Sequence, residues 1–479
     1  MLQNELPRFE ILSPESMATL DRGWRRIVSE IGVEFLSEEA HELFRQAGQR
    51  VEENIVYFDP EFLLEQLKLV PEQFEMQARN PANNVTIGGK NMVFSSVYGA
   101  PFVRDGDVRR DGTLADFQNF CRLAQSFSAM DSVGGVVVEP NDASLDSRHL
   151  DMVFNAFTLT DKFIMGNVVT GENAADTIAM AEIVLGGRKS IEEKPFGYSL
   201  INCNSPLRWD DRMLDSLFVY CRAKQPVIVT PFLLMGAMSP VSIAATLAQQ
   251  MAEAFSGIAL TQLIRPGTPV IMGSFLSNID MKTGSPQFGT PESAVGQYCI
   301  GQIARAYKVP FRSGGGLNAS QMPDAQAGYE SVMTLMPSFL AGANVVLHSA
   351  GWLEGGLVSC FEKYIIDMQI LEQLVAEFQP IEFTDDDLAF DAHDEVRHGG
   401  HFLGAAHTMD NFRDCFYRPW LSSSDNFERW TRNGSIDTAG RARAIYLDTL
   451  DKYEEPPMDE AIKAELVEYV AKRRVELDG

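Results

Sequence analysis

From residue 91 onward the chain alternates eight times between a short apolar run and an amphipathic helix. Few folds accommodate that rhythm. Strand-like runs fall at 92–98, 133–139, 163–169, 196–202, 226–232, 268–275, 309–314 and 344–348. Helical periodicity fills 113–128, 144–160, 172–186, 210–223, 240–264, 290–307 and 324–342, with an eighth helix at 357–377. The strands are continuous apolar runs, as strands covered on both faces are. The pattern predicts an α/β fold, a (β/α)8 TIM barrel over residues 91–377. An open doubly wound sheet would show fewer units and a phosphate fingerprint after its first strand. Helix starts are signalled by Thr113-x-x-Asp116, Ser239-Pro240 and Thr290-Pro291-Glu292, and Asp324 and Gly342 are placed to cap the seventh helix.

Residues 1–90 read as an α+β appendage. Helices are expected after Ser13, Ser37 and Asp59, with short strands near 52–58 and 73–80 and a hairpin over 84–94 around Gly88-Gly89. Residues 378–479 are more acidic and aromatic and end in a polar helix, which predicts a C-terminal helical extension packed on the barrel.

A formal charge of −26 argues against nucleic-acid or anionic-membrane partners, since both need a basic surface. No apolar run reaches the roughly 18 residues a membrane span needs, so a cytoplasmic protein is expected. The six cysteines are scattered without a CxxC pair, which fits reduced thiols better than a disulfide framework. Oligomeric state is left open, a homo-oligomer being compatible with apolar appendages.

Barrel chemistry is assembled at the C-terminal ends of the strands. There the sequence places Tyr98, Glu139, Asn202, Phe232, Phe275, Arg312 and His348, with Trp352 just beyond. Lys90, Lys162, Lys194, Lys224 and Lys308 all precede strands, so Schiff-base chemistry has no strand-end lysine. A mouth walled by Tyr98, Phe232, Phe275 and Trp352 suits an alkylammonium cation, because ring faces attract such charges. His348 and Arg312 then suit an anionic end of the same molecule. Glu139 either faces the cation or serves the turn before Pro140. Gly314 and Gly315, in Ser313-Gly-Gly-Gly316, allow close backbone approach to a ligand, and a phosphate cup there is the rival reading. His393, His398, His401 and His407 crowd into the extension at spacings that match no standard zinc pattern, so a metal-free cluster or a docking surface is the expectation.

The runs GGGLNASQMPDAQAGYE, LAGANVVLHSAGWLEGG, FEKYIIDMQIL and GHFLGAAHTMDNFRDCFYRP together resemble the trimethylamine methyltransferase superfamily over nearly the whole chain. That resemblance implies a barrel that passes a methyl group from an amine to the cobalt of a corrinoid carried on a separate protein. Founding members use pyrrolysine for a tertiary amine, whereas this sequence has only the twenty ordinary residues. It is therefore similar to the non-pyrrolysine branch, whose substrates are quaternary amines such as glycine betaine, proline betaine and carnitine. Tyr98 and His348 match positions that betaine-specific members use for the substrate. A quaternary nitrogen leaves as a neutral tertiary amine, so no general acid or base is required. The DxHxxG signature of base-off corrinoid carriers is absent, Val396 standing where Asp391-x-His393 would need its glycine. The cofactor is thus expected on a partner protein, and not held tightly by this chain. A lyase or isomerase using the glycine loop as an anion site, and a non-catalytic betaine-binding protein, are the alternatives.

Overall fold

A computed structural model describes all residues, 1–479. Its largest sheet contains seven of the eight expected barrel strands: Asn91–Phe94, Ile164–Met165, Gly197–Cys203, Val227–Met235, Val270–Gly273, Phe311–Gly314 and Val345–Leu347. Neighbours pair in parallel, and the last returns to the first through Val345↔Val93 and Val346↔Phe94. The ring closes on its other side through Ser132, which bridges Ser95 and Phe163 in parallel.

Those two bridges, both at Ser132, are all that forms where strand 133–139 was expected. Gly134 has φ +86°, which turns the chain out of the sheet. Val136, Val137 and Val138 are buried as loop residues, so their apolar character was misread as a strand. The eight outer helices are Leu114–Ser126, Arg148–Leu159, Gly171–Leu185, Asp211–Arg222, Ile243–Ile264, Pro291–Ala306, Ala325–Ala341 and Phe361–Glu377. The Thr113–Asp116 capping box forms as read, and Thr290 and Asp324 cap the sixth and seventh helices. The fifth helix starts later than Ser239-Pro240 suggested, with Ser242 as its N-cap.

Strand residues alternate between the barrel interior and the helical layer. Val93, Phe163, Tyr198, Leu200, Ile228, Ile271, Val345 and Leu347 form the inner cluster. Met76, Val85 and Ile87 join that cluster from below. They come from a hairpin, Gln73–Met76 with Val85–Gly88, which plugs the N-terminal end of the barrel. The expected 84–94 hairpin is therefore corrected: Val85–Gly88 pairs backward with Gln73–Met76, and Asn91–Phe94 is the first barrel strand.

The remaining N-terminal elements lean on the outside of the fifth helix through Trp24, Phe35 and Phe44. His41 is buried there. Over the mouth, the loops after the eighth and first strands build a second sheet from Trp352–Leu353, Val358–Cys360, Phe102–Asp105 and Val108–Asp111. The last two long helices clasp the barrel. Thr438–Asp451 packs on the eighth helix, and Glu460–Asp478 lies against the second and third. No helix is long and apolar enough to cross a membrane.

Candidate functional site

Pairing of the eighth strand with the first brings Tyr98 and His348 together across 250 positions of sequence. The Tyr98 backbone N–H donates to His348 Nδ1 at 3.2 Å. That contact assigns the tautomer: Nδ1 accepts, so the neutral ring carries its proton on Nε2. His348 itself is held in the left-handed region at φ +64°. Its N–H donates to Ser96 O at 3.2 Å, and its carbonyl accepts from Gly316 N at 2.8 Å. Strain of this kind persists only where the surroundings over-determine it.

Gly315 explains the glycine run. A Cβ on it would lie 2.5 Å from the His348 carbonyl carbon, so the seventh and eighth loops can touch only if this residue is glycine. The run thus braces His348 from below. Deeper still, Asp367 accepts from Gly351 N at 2.9 Å and pairs with Lys363, both side chains fully buried. That pair ties the loop carrying His348 and Trp352 to the eighth helix.

Around the imidazole stands a connected set of rings. Trp352 meets His348 edge-on with centroids 4.5 Å apart, and Phe275 does so at 6.1 Å. Phe232 stacks on Phe275 at 4.6 Å, and Tyr98 lies 6.4 Å from His348. Phe288 closes the set against Phe275 and Trp352 at 5.6 and 5.7 Å. Sequence reading missed Phe288; its signal was an aromatic set directly before Gly289 and the Thr290 cap. Asn318 was also missed. It holds Trp352 reciprocally, donating to Trp352 O at 2.7 Å and accepting from Trp352 Nε1 at 3.0 Å.

Arg312 lies among the inward-facing residues of the seventh strand, between Gly273 and Val345 in register. It is 1% exposed. One nitrogen, Nη1, donates to Ser274 O at 2.9 Å, while Nε and Nη2 have no protein partner. No carboxylate pairs with it; the neighbouring polar side chain is the Tyr198 phenol. Burial lowers its pKa to about 10, so it stays charged at neutral pH. Its guanidinium carbon lies 5.8 Å from the Phe275 centroid, directly below the rings. Thr230 Oγ1, on the inner face of the fifth strand, is likewise buried without a partner. Burial, and then the Arg312 charge, push the His348 pKa well below its usual 6.5. The imidazole is therefore neutral. Burial also raises the Tyr98 phenol, so it is a hydrogen-bonding hydroxyl and not a phenolate.

The other expected residues stand differently. Asn202 shares the inner face with Tyr198 and Leu200 and is in register with Thr230. Glu139 is committed to Arg148 at 2.7 Å, which makes it a rim ion pair and not a free partner for a cation. Gly314 O accepts from Ser338 Oγ at 2.5 Å. His393, His398, His401 and His407 lie on the extension, and no group of His, Cys, Asp or Glu has metal-binding geometry.

Such a site can desolvate a small molecule, hold an anionic group from below and surround a cationic group with rings. It offers no charged general acid at its centre. Comparison with known proteins shows the family of the chain. The chain is 42% identical to a glycine betaine methyltransferase of Desulfitobacterium hafniense (strain Y51), with 98% of each chain covered. It is 28% identical to a trimethylamine methyltransferase of the same species (strain DSM 10664 / DCB-2), over 95% of this chain and 92% of that one. Among solved structures, it is similar in fold to a hydroxylamine complex of MtmB, with TM-score 0.53 and 10% identity over 92% of this chain and 88% of the other. The monomethylamine methyltransferase (MtmB) of Methanosarcina barkeri matches with TM-score 0.50 and 10% identity, each chain being 93% covered. The trimethylamine methyltransferase (MTTB) family matches residues 1–478, and the chain belongs to that family.

Proposed function

We propose that this protein demethylates a small zwitterionic quaternary amine, glycine betaine or a close relative, and passes the methyl group to a cobalt(I) corrinoid carried by a separate protein. One observation carries the choice of a zwitterion: Arg312 is a buried cation with two unpartnered N–H groups and no acidic neighbour. A plain alkylammonium bound above it would meet an uncompensated like charge. A betaine brings its own carboxylate, which accepts from Arg312 Nε and Nη2 and from His348 Nε2–H. Tyr98 and Asn202 are suited to assist. The trimethylammonium group then lies among Phe232, Phe275 and Trp352, worth about 0.5–2 kcal/mol per well-placed ring.

Transfer needs no proton. The C–N bonding pair stays with nitrogen, the amine departs neutral, and the methyl carbon takes its new bond from the electron pair of cobalt(I). The chain's own contribution is to exclude water, fix the substrate by its carboxylate end and point one methyl out of the mouth. The strained backbone at His348 and its three hydrogen bonds to the segments that follow the first and seventh strands favour such preorganisation.

The test uses purified protein, a corrinoid protein, reductant and glycine betaine. Methyl-cobalt and dimethylglycine should form in equal amounts. Choline, which replaces the carboxylate with a hydroxyl, should be a poor substrate. Demethylation of choline or tetramethylammonium as fast as any betaine would overturn the role given to Arg312.

A further inference from the structure

Inside a barrel a hydroxyl is a cost unless its proton finds an acceptor. Elsewhere on the inner face the fold meets that demand: Ser95 Oγ and the Tyr198 hydroxyl bond each other at 2.5 Å. Thr230 is different. It is 1% exposed, its Oγ1 has no partner, and Asn202 stands beside it in register without bonding it. Valine has nearly the same shape and the same preference for strands, and would avoid the cost. The fold alone gives no reason for this hydroxyl.

A neighbour fixes its direction. A Cβ on Gly273 would fall 1.9 Å from Thr230 Oγ1, so the hydroxyl leans over the sixth strand where that strand has no side chain. On the far side of Gly273, and in register with it, stands Arg312. Adjacent strands lie about 4.8 Å apart, so Thr230 and Arg312 face each other across an opening one side chain wide. Arg312 Nε and Nη2 are without partners there. A guanidinium has no lone pair to offer, so it cannot take the threonine proton. Both side chains that flank the opening have protons to donate, and neither has an acceptor to receive them.

What fits such an opening is an anion with several lone pairs. A carboxylate offers about four. Arg312 Nε and Nη2 take two and His348 Nε2 a third, which leaves one for Thr230. Arg312 lies on the seventh strand and His348 follows the eighth, whereas Thr230 reaches in from the fifth, on the opposite side of Gly273. Phe232 and Phe275 stand two residues further along the strands of Thr230 and Gly273, in register with each other. The ring level is therefore one strand repeat, about 6.6 Å, above the opening. A carboxylate held there lies at the foot of the aromatic set.

We propose that Thr230 is a specificity-determining residue: its hydroxyl donates to the substrate carboxylate across the opening at Gly273 and completes the grip of Arg312 and His348. This rests on the reading of the protein as a betaine demethylase, and adds a residue whose hydroxyl serves the ligand alone. Thr230→Val tests it by putting a methyl in place of the hydroxyl. Without ligand, the variant should melt at or above the wild-type temperature. Calorimetry on the full chain should show glycine betaine binding weakened about 10- to 100-fold, the range for a hydrogen bond to a charged group. KM should rise in step while kcat stays within about twofold, because the carboxylate keeps its charge throughout transfer. Thr230→Ser restores a hydroxyl and should recover most of the affinity. 3,3-Dimethylbutanoate, which keeps the carboxylate and lacks the positive charge, should weaken by the same factor as betaine in Thr230→Val. Tetramethylammonium, which has no carboxylate, should inhibit wild type and variant alike. A Thr230→Val variant that binds betaine as tightly as the wild type, weakens betaine and tetramethylammonium equally, or melts lower without ligand would overturn the inference and leave betaine demethylation standing. A wild type that neither binds nor demethylates any betaine would overturn the underlying reading, and this inference with it.

Discussion

Two buried cations, one at each end of the barrel, are treated in opposite ways. Lys162 lies at the base, where burial lowers its pKa to about 8. It donates to the carbonyls of Ala124, Phe127 and Met130 at 2.7, 2.8 and 2.6 Å, so all three of its protons are used. Arg312 lies under the mouth with one contact made and two nitrogens idle. The base is a completed structure, sealed by a hairpin that adds Met76, Val85 and Ile87 to the inner cluster. The mouth brings three irregularities together: a left-handed histidine, a neutralised imidazole and an unanswered guanidinium. Broken local rules without compensation within the fold mark the place where a ligand supplies it.

The contrast is most sharply tested by neutralising each cation in turn. Arg312→Met should lower kcat/KM for betaine about 1,000-fold, roughly 4 kcal/mol, the scale of losing one partner of a buried charged contact. Its melting temperature should hold or rise, because a buried charge without a partner is removed. Lys162→Met should do the reverse, lowering the melting temperature and leaving KM unchanged. Equal destabilisation by both would erase the distinction. Next in size, Ile87→Ala in the basal plug should cost about 2–5 kcal/mol in urea unfolding, with activity per folded molecule intact. A change in KM there would mean that the base and the mouth are coupled.

Much of this division was legible beforehand, for physical reasons. Buried parallel strands show as apolar runs and helix caps have narrow residue preferences, so Asp324 and Gly342 bounded the seventh helix as read. The rule that barrels work at strand ends sufficed to single out Tyr98, Phe275, His348 and Trp352, which the fold brings into one cluster. The second strand failed because a valine run says nothing of the turn that Gly134 imposes before it. The sheet over the mouth was invisible because its strands are two to four residues long and pair Phe102 with Val358. Glu139 was ambiguous because its partner, Arg148, approaches from the helix after its loop. The idle nitrogens of Arg312 were beyond any one-dimensional reading, since only coordinates show that no acid reaches them.

The two ends should also differ in pH response, by a smaller amount. His348 is held neutral, so below pH 6.5 the unfolded chain binds a proton that the folded chain refuses. Stability should therefore fall as pH drops through 6.5, by up to about 1.4 kcal/mol per pH unit from this group. His348→Gln should remove that component in urea titrations at pH 5 and 7. A slope unchanged by the substitution would mean that the fold does not resist its protonation. At the alkaline end, betaine affinity should weaken as pH rises through about 10, where Arg312 loses its charge.

The smallest expected effect separates ring electrostatics from ring area. Trp352→Leu removes one aromatic face, about 0.5–2 kcal/mol, and should raise KM for betaine about 2- to 30-fold. Trp352→Phe keeps a face and should lie nearer to wild type. The carbon isostere of glycine betaine, 3,3-dimethylbutanoate, supplies the discriminating arm. It keeps the carboxylate and the bulk but has no positive charge, so it should inhibit through Arg312 and lose little affinity in Trp352→Leu. If both ligands weaken equally, the rings contribute only by excluding water, and the mouth differs from the base in its buried charge alone.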